Sequence, residues 1–226
     1  MILDEKKIFS DIVKGKPVEI KFYENEDSIN SLIKSVIIKV LEKYGQNSLS
    51  DVIYGCIKEL IINATKANVK RAFFKRNNLD INDMGEYIHG ITKFKIMLDS
   101  KEYKNYYEEL YLMDLWVKFN IRHNKDGIIF EVSNNSSIVE IEDRRIRMKL
   151  QKSMIYDDFI KYYHNEKDST EGDGIGIALV IFLMGKANLD PSLFRLGTVN
   201  DITVSRIELP LTMNYKYMRK EPVERS

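Results

Sequence analysis

The strand-like segments of this chain are joined to one another by tight turns, and its helical segments stand in separate blocks. No regular strand–helix–strand alternation exists from which a parallel sheet could be built. Leu115 to Arg122 and Gly127 to Ser133 meet at Asn124-Lys125-Asp126-Gly127, a hairpin signal in which Asp-Gly suits positive φ. Leu193 to Val199 and Ile202 to Leu211 meet at Asn200-Asp201, and Val18 to Tyr23 (VEIKFY) alternates as a strand entered through Gly15 and Pro17. Two amphipathic helices precede the hairpins. One runs from about Asn30 to Lys43 after Ser28 as N-cap, with Ile29, Ile33, Ile37, Val40 and Leu41 on one face. The other runs from about Asp51 to Phe74 after Ser50, with a stripe of Ile53, Ile57, Leu60, Ile61 and Ala64. These blocks predict an α+β fold: a two-layer sandwich with helices on one face of a mixed, mostly antiparallel sheet.

The 226 residues fit a single domain, 1–226, enlarged by a helical insertion at about 77–114. With 44% hydrophobic and 31% charged residues the chain can bury a core, so global disorder is excluded. Thirty-five basic against thirty-four acidic residues give +1, which carries no footprint for nucleic acid or an anionic membrane. The longest apolar run, Ile175 to Met184, is half the ~20 residues that span a bilayer and reads as a buried helix. The N-terminus, MILDEKKIFSDIVKGK, lacks the apolar core of a signal peptide, and a lone Cys56 makes no internal disulfide. A cytoplasmic location is expected.

Two motifs carry chemistry. In ELIINATKAN, residues 59–68, Glu59, Asn63, Lys66 and Lys70 fall within about 60° of one another at ~100° per residue. They edge the apolar stripe. A carboxylate one turn before a carboxamide, with two amines above, suits a hydrated Mg²⁺ and its phosphates. Asn supplies an oxygen ligand, Glu orients or deprotonates water, and Lys meets phosphate charge. The same pattern also suits an ordinary solvated helix face. In GDGIGIAL, residues 172–179, three alternate glycines precede an apolar helix. Missing Cβ atoms let backbone N–H groups approach an anion at a helix N-terminus. The G-x-G-x-G spacing after a polar loop disfavours a dinucleotide-binding fold, and no Walker-type GxxxxGK[ST] is present. A plain loop-to-helix turn is the competing use of these glycines.

Taken together and in this order, the motifs resemble the GHKL superfamily, which includes histidine kinases, DNA gyrase B and mismatch-repair ATPases. ELIINATKA looks like its N-box and GDGIGIAL like its G2 box, and the similarity in element order spans most of residues 16–212. The resemblance implies a Bergerat-type, histidine kinase-like ATP-binding fold. By it Asn63 matches the Mg²⁺ ligand, Glu59 the water-activating base and Lys66 a phosphate contact. Gly172, Gly174 and Gly176 match the glycines around the triphosphate. Thr203 falls near the adenine pocket, and about 137–171 is the ATP lid, expected as a long mobile loop. The chain departs from the family in EVSNNSSIVEI, where Asn134 replaces the Asp that accepts the adenine amino proton and no glycine follows. An Asn oxygen still accepts that bond, but it is neutral and flippable, at a cost of about 1 kcal/mol, roughly fivefold in affinity.

Two readings of function follow from the resemblance. The first is an ATP-dependent kinase or ATPase that presents Mg-ATP to a separate protein phosphoacceptor or regulatory partner. The second is a non-catalytic interaction module with an eroded adenine box. The aromatic run Tyr103, Tyr106, Tyr107, Tyr111 and Trp116 of the insertion reads first as internal packing and second as a partner or homodimer surface. His89 lacks the setting of a phosphoacceptor and His164 lies in the expected lid, within reach of nucleotide, so any acceptor is expected on another chain.

Overall fold

The structure is a computed structural model that describes residues 4–100, 102–156, 159–166 and 175–218. It is α+β, with helices packed on one face of a five-stranded antiparallel sheet. In chain order the elements are α1 (Glu5–Val13), β1 (Val18–Phe22), α2 (Asp27–Lys43), α3 (Ser50–Arg76), α4 (Met84–Asp99), α5 (Tyr107–Leu112), β2 (Val117–His123) and β3 (Gly127–Asn134). Then follow α6 (Glu140–Ser153), α7 (Phe159–Glu166), α8 (Ile175–Lys186), β4 (Phe194–Val199) and β5 (Ile202–Pro210). The strand order is β1-β2-β3-β5-β4, and each neighbouring pair is antiparallel. No described helix is long and apolar enough to cross a membrane.

Period-2 alternation sends Val117, Phe119 and Ile121 of β2, and Ile128, Phe130 and Val132 of β3, onto the buried face. There they meet Ile33, Ile37 and Val40 of α2, Ile53 to Ala64 of α3, and Ile177 to Met184 of α8 in one core. The opposite face keeps Lys118 paired with Glu19 and Arg122 with Glu131. The second hairpin turns through Asn200 and Asp201, both at positive φ. The first hairpin forms as expected by a different device. Asn124 Oδ1 accepts from the amides of Asp126 (2.8 Å) and Gly127 (3.1 Å), an Asx turn that needs no positive φ.

Helix α3 belongs to two cores. Its first half packs under the sheet, whereas Val69, Ala72, Phe73 and Phe74 belong to a second cluster with Tyr87, Ile91 and Phe94 of α4, Tyr106, and Leu110 of α5. The insertion is therefore a satellite built on the far end of one 27-residue helix. Gly90 permits the approach: a Cβ there would lie 2.5 Å from the Phe74 ring. Of the aromatic run, Tyr106 is buried, Tyr103 and Tyr107 pack partly against the same cluster, and Tyr111 stacks on Tyr23 at 4.4 Å between centroids.

The polar stretch after β3 holds helices α6 and α7 where a loop was expected. Charge pairs one turn apart, Glu140–Arg144 and Asp143–Arg147, support α6. Glu142 Oε2 receives the Val139 amide at 3.4 Å, and only Ile146 and Leu150 touch the main core. Helix α1, which the sequence pattern did not suggest, is capped by Asp4, whose carboxylate accepts from the Lys7 amide.

Candidate functional site

Where α3 passes from one core to the other, its polar face is left between the sheet, α6 and the start of α8. The result is an open cleft whose enclosed part measures about 130 Å³. Asn63 and Lys66 line it from α3, Asn134 from β3, Thr203 from β5 and Ile177 from α8. Asn134 and Thr203 face each other in register across β3 and β5. Two adjoining positions belong to the same assembly. A Cβ on Gly176 would stand 2.7 Å from Glu59 Oε2 and 3.3 Å from Asn63 Nδ2, so α8 seats its first turn directly on the Glu59–Asn63 edge. Gly172 and Gly174 lie outside the described residues, as do 157–158 and 167–171 of the expected lid.

The polar face of α3 is not a solvated one. Lys70 is buried, and Glu59, Asn63 and Lys66 are half-buried. Lys66, Lys70, Arg71, Arg145 and Lys149 line the cleft against a single carboxylate, Glu142. In a chain with a net charge of only +1, that is a local excess of positive charge. Glu142 is closely held: Oε1 receives Lys70 Nζ at 2.6 Å and the Tyr87 hydroxyl at 3.3 Å. Through these bonds α3, α4 of the insertion and α6 meet at one carboxylate. The Arg71 guanidinium donates to the Ser137 carbonyl and ties down the segment leading into α6. Burial pulls Arg71 below its ordinary value, and the nearby Glu142 opposes the shift.

Asn68 is a residue that motif reasoning passed over. It is fully buried, donates from Nδ2 to the Trp116 carbonyl at 3.0 Å, and accepts on Oδ1 from Asn134 Nδ2 at 3.0 Å and the Ser136 hydroxyl at 2.9 Å. Asn135 accepts from the Trp116 amide (2.8 Å) and donates to the Asp114 carbonyl (2.7 Å), while Thr203 donates to the Ser136 carbonyl (2.5 Å). The glycine-free turn after Asn134 is thus pinned by its own polar side chains. The only hint in the sequence was the five-residue spacing from Asn63, which carries no meaning without β3 beside it.

The Asn63 side of α3 differs. Asn63 Nδ2 and Thr65 Oγ1 are buried without a hydrogen-bond partner. Among the described residues no group of three His, Cys, Asp or Glu could hold a metal ion, so a cation here would rest on Asn63 and on oxygens of its own ligand. Cys56 is no nucleophile: burial pushes its thiol up to about 12. His89 is exposed on α4.

No family model matches the chain, and no solved structure matches it. A protein of Treponema pallidum (strain Nichols), described as an uncharacterized protein, is 30% identical over 211 residues. That match covers 93% of this chain and 41% of the relative, so the chain spans about two fifths of the relative's length.

Proposed function

We propose that the cleft binds Mg-ATP as a GHKL-type, histidine kinase-like domain does, and that the domain presents the nucleotide for phosphoryl transfer to a separate protein or hydrolyses it slowly. The observation that carries this reading is the convergence of two distant motifs on one cation-lined cleft: Gly176 seats on Glu59 and Asn63, while Asn134 and Thr203 line the same cleft from β3 and β5. Asn63 and Asn68 are five residues apart, about 7.5 Å of helix rise, which separates a phosphate station from a base station.

The residues fit the group. Asn63 would hold Mg²⁺ by its oxygen, its unpartnered buried Nδ2 being free to donate to a phosphate oxygen, and Lys66 would meet the phosphates. Gly176 leaves room that any side chain would fill. Asn134 accepts an exocyclic amino proton of the base, with Thr203 beside it. Glu59 orients a water molecule for hydrolysis. The magnesium supplies charge neutralisation at the phosphates when bound. A regulatory or phosphoacceptor partner, or a second copy meeting the insertion, completes the reading.

A second reading, a non-catalytic interaction module on the same fold, is favoured by one observation: the acceptor at position 134 is a neutral carboxamide with no glycine after it. A thermal-shift titration separates the two. Magnesium-dependent stabilisation by ATP, about 2.7 kcal/mol at a hundredfold excess over Kd, supports the nucleotide site. The absence of any shift at millimolar Mg-ATP overturns it in favour of the module.

A further inference from the structure

We propose that Asn68 is the positioning residue that fixes which end of the Asn134 carboxamide faces the ligand, and that it thereby makes the cleft select bases with an exocyclic amino group over bases with an oxo group at that place. The proposal rests on the nucleotide reading for its ligand, but the hydrogen-bond polarity behind it does not.

A carboxylate accepts with either oxygen and needs no orientation. A carboxamide has one accepting and one donating end, and rotation by half a turn exchanges them. Which end Asn134 presents is therefore decided by its neighbours. The decision can be traced to a backbone carbonyl. Trp116 C=O can only accept, so the Asn68 group 3.0 Å away must be Nδ2. That places Asn68 Oδ1 on the other side, where it can only accept. The Asn134 atom 3.0 Å from it must then be Nδ2, and the oxygen is the end left for another donor. Ser136, whose hydroxyl serves either polarity, gives its proton to the same Oδ1 and adds no ambiguity. Asn68 has no exposed surface and Asn134 almost none, so water does not stand in for either bond.

An outward oxygen at Asn134 complements an amino group and repels a carbonyl. A 6-aminopurine meets a donor–acceptor match, whereas a 6-oxopurine sets two lone-pair oxygens against each other. Without Asn68 the carboxamide turns to suit either base, and discrimination falls.

The test uses the full chain with Mg-ATP and Mg-ITP, which differ in the 6-amino or 6-oxo group and in the hydrogen that the oxo base carries on N1. Calorimetry on the wild type is expected to show ATP bound at least about tenfold more tightly than ITP. Asn68→Ala is expected to bring the ratio to within about threefold, and Asn68→Ala with Asn134→Asp to restore it, because a carboxylate needs no orienting partner. An undiminished ratio in folded Asn68→Ala overturns the proposal. A ligand-free readout stands beside it. In the wild type the Asn134 side-chain amide protons are expected to exchange slowly with solvent by NMR, and in Asn68→Ala quickly. Solvent-rate exchange in the wild type overturns the polarity argument even where the variant does not fold. If neither nucleotide binds, the nucleotide reading fails while the NMR result still decides the orientation.

Discussion

Asn68 and Asn63, about 140° apart around α3, are built into the fold on opposite terms. Around Asn68 the carboxamide partners are accounted for within the protein: Asn134, Ser136 and Trp116 form a closed set, with Asn135 and Thr203 bracing its rim. Around Asn63 the polar atoms are held out of water by Gly176 and α8, and one of them has no partner. A buried polar group costs free energy unless it is bonded. The first therefore contributes to the stability of the free protein. The second leaves a donor without an acceptor. The two carboxamides lie five residues apart on the helix and about 140° apart around it.

The sharpest attempt to break this contrast is Asn63→Ala. It is expected to weaken Mg-ATP binding about 100-fold, ~2.7 kcal/mol, while leaving unfolding free energy within about 0.5 kcal/mol of the wild type. Unchanged calorimetric affinity removes Asn63 from the site. Asn68→Ala is the converse. Urea denaturation should show a loss of about 1–3 kcal/mol, because it strands Asn134, Ser136 and the Trp116 carbonyl. A neutral result there would make the network decorative.

Glu142→Gln probes the seam between the two cores. It turns an ion pair whose side chains are 11% and 17% exposed into a charge beside an amide, at about 1–2 kcal/mol. It should also speed amide exchange in the first turns of α6, next to the lost charge. Equal exchange in mutant and wild type would show that Ile146 and Leu150 suffice to hold the helix.

The smallest effect expected lies outside the cleft, at His123. Burial, with Lys43 assisting, holds its imidazole below the ordinary value, and Nδ1 is 2.8 Å from the Tyr44 hydroxyl. The folded state thus favours the neutral ring and the unfolded chain takes the proton first. This contribution is present above about pH 6.5 and lost as pH falls toward the folded value. His123→Gln should flatten the decline of Tm between pH 7.5 and 5.5, and a parallel decline would place the pH dependence elsewhere.

The strands and the amphipathic helices were legible because each buries one face, and a buried face leaves a period in the sequence. Ile33, Ile37 and Val40 read correctly for that reason, as did the alternation Val117, Phe119, Ile121. Helix α6 did not, because its few apolar residues, Ile141, Ile146 and Leu150, stand among charged ones and leave only a weak period. The turn at Asn124 was placed correctly but its mechanism was not, since an Asx bond and a positive-φ glycine suit the same residues.

The sequence by itself determined the α+β layering and the polar edge Glu59, Asn63, Lys66 and Lys70, because helix geometry fixes which side chains share a face within one element. Only the tertiary structure decided that this edge is largely withdrawn from solvent, that Gly176 rests on it, and that Asn68 bonds Asn134 from 66 residues away. Those facts depend on contacts between elements. The direction of a hydrogen bond between two carboxamides is set by the third group each one touches, and no local pattern records which group that is.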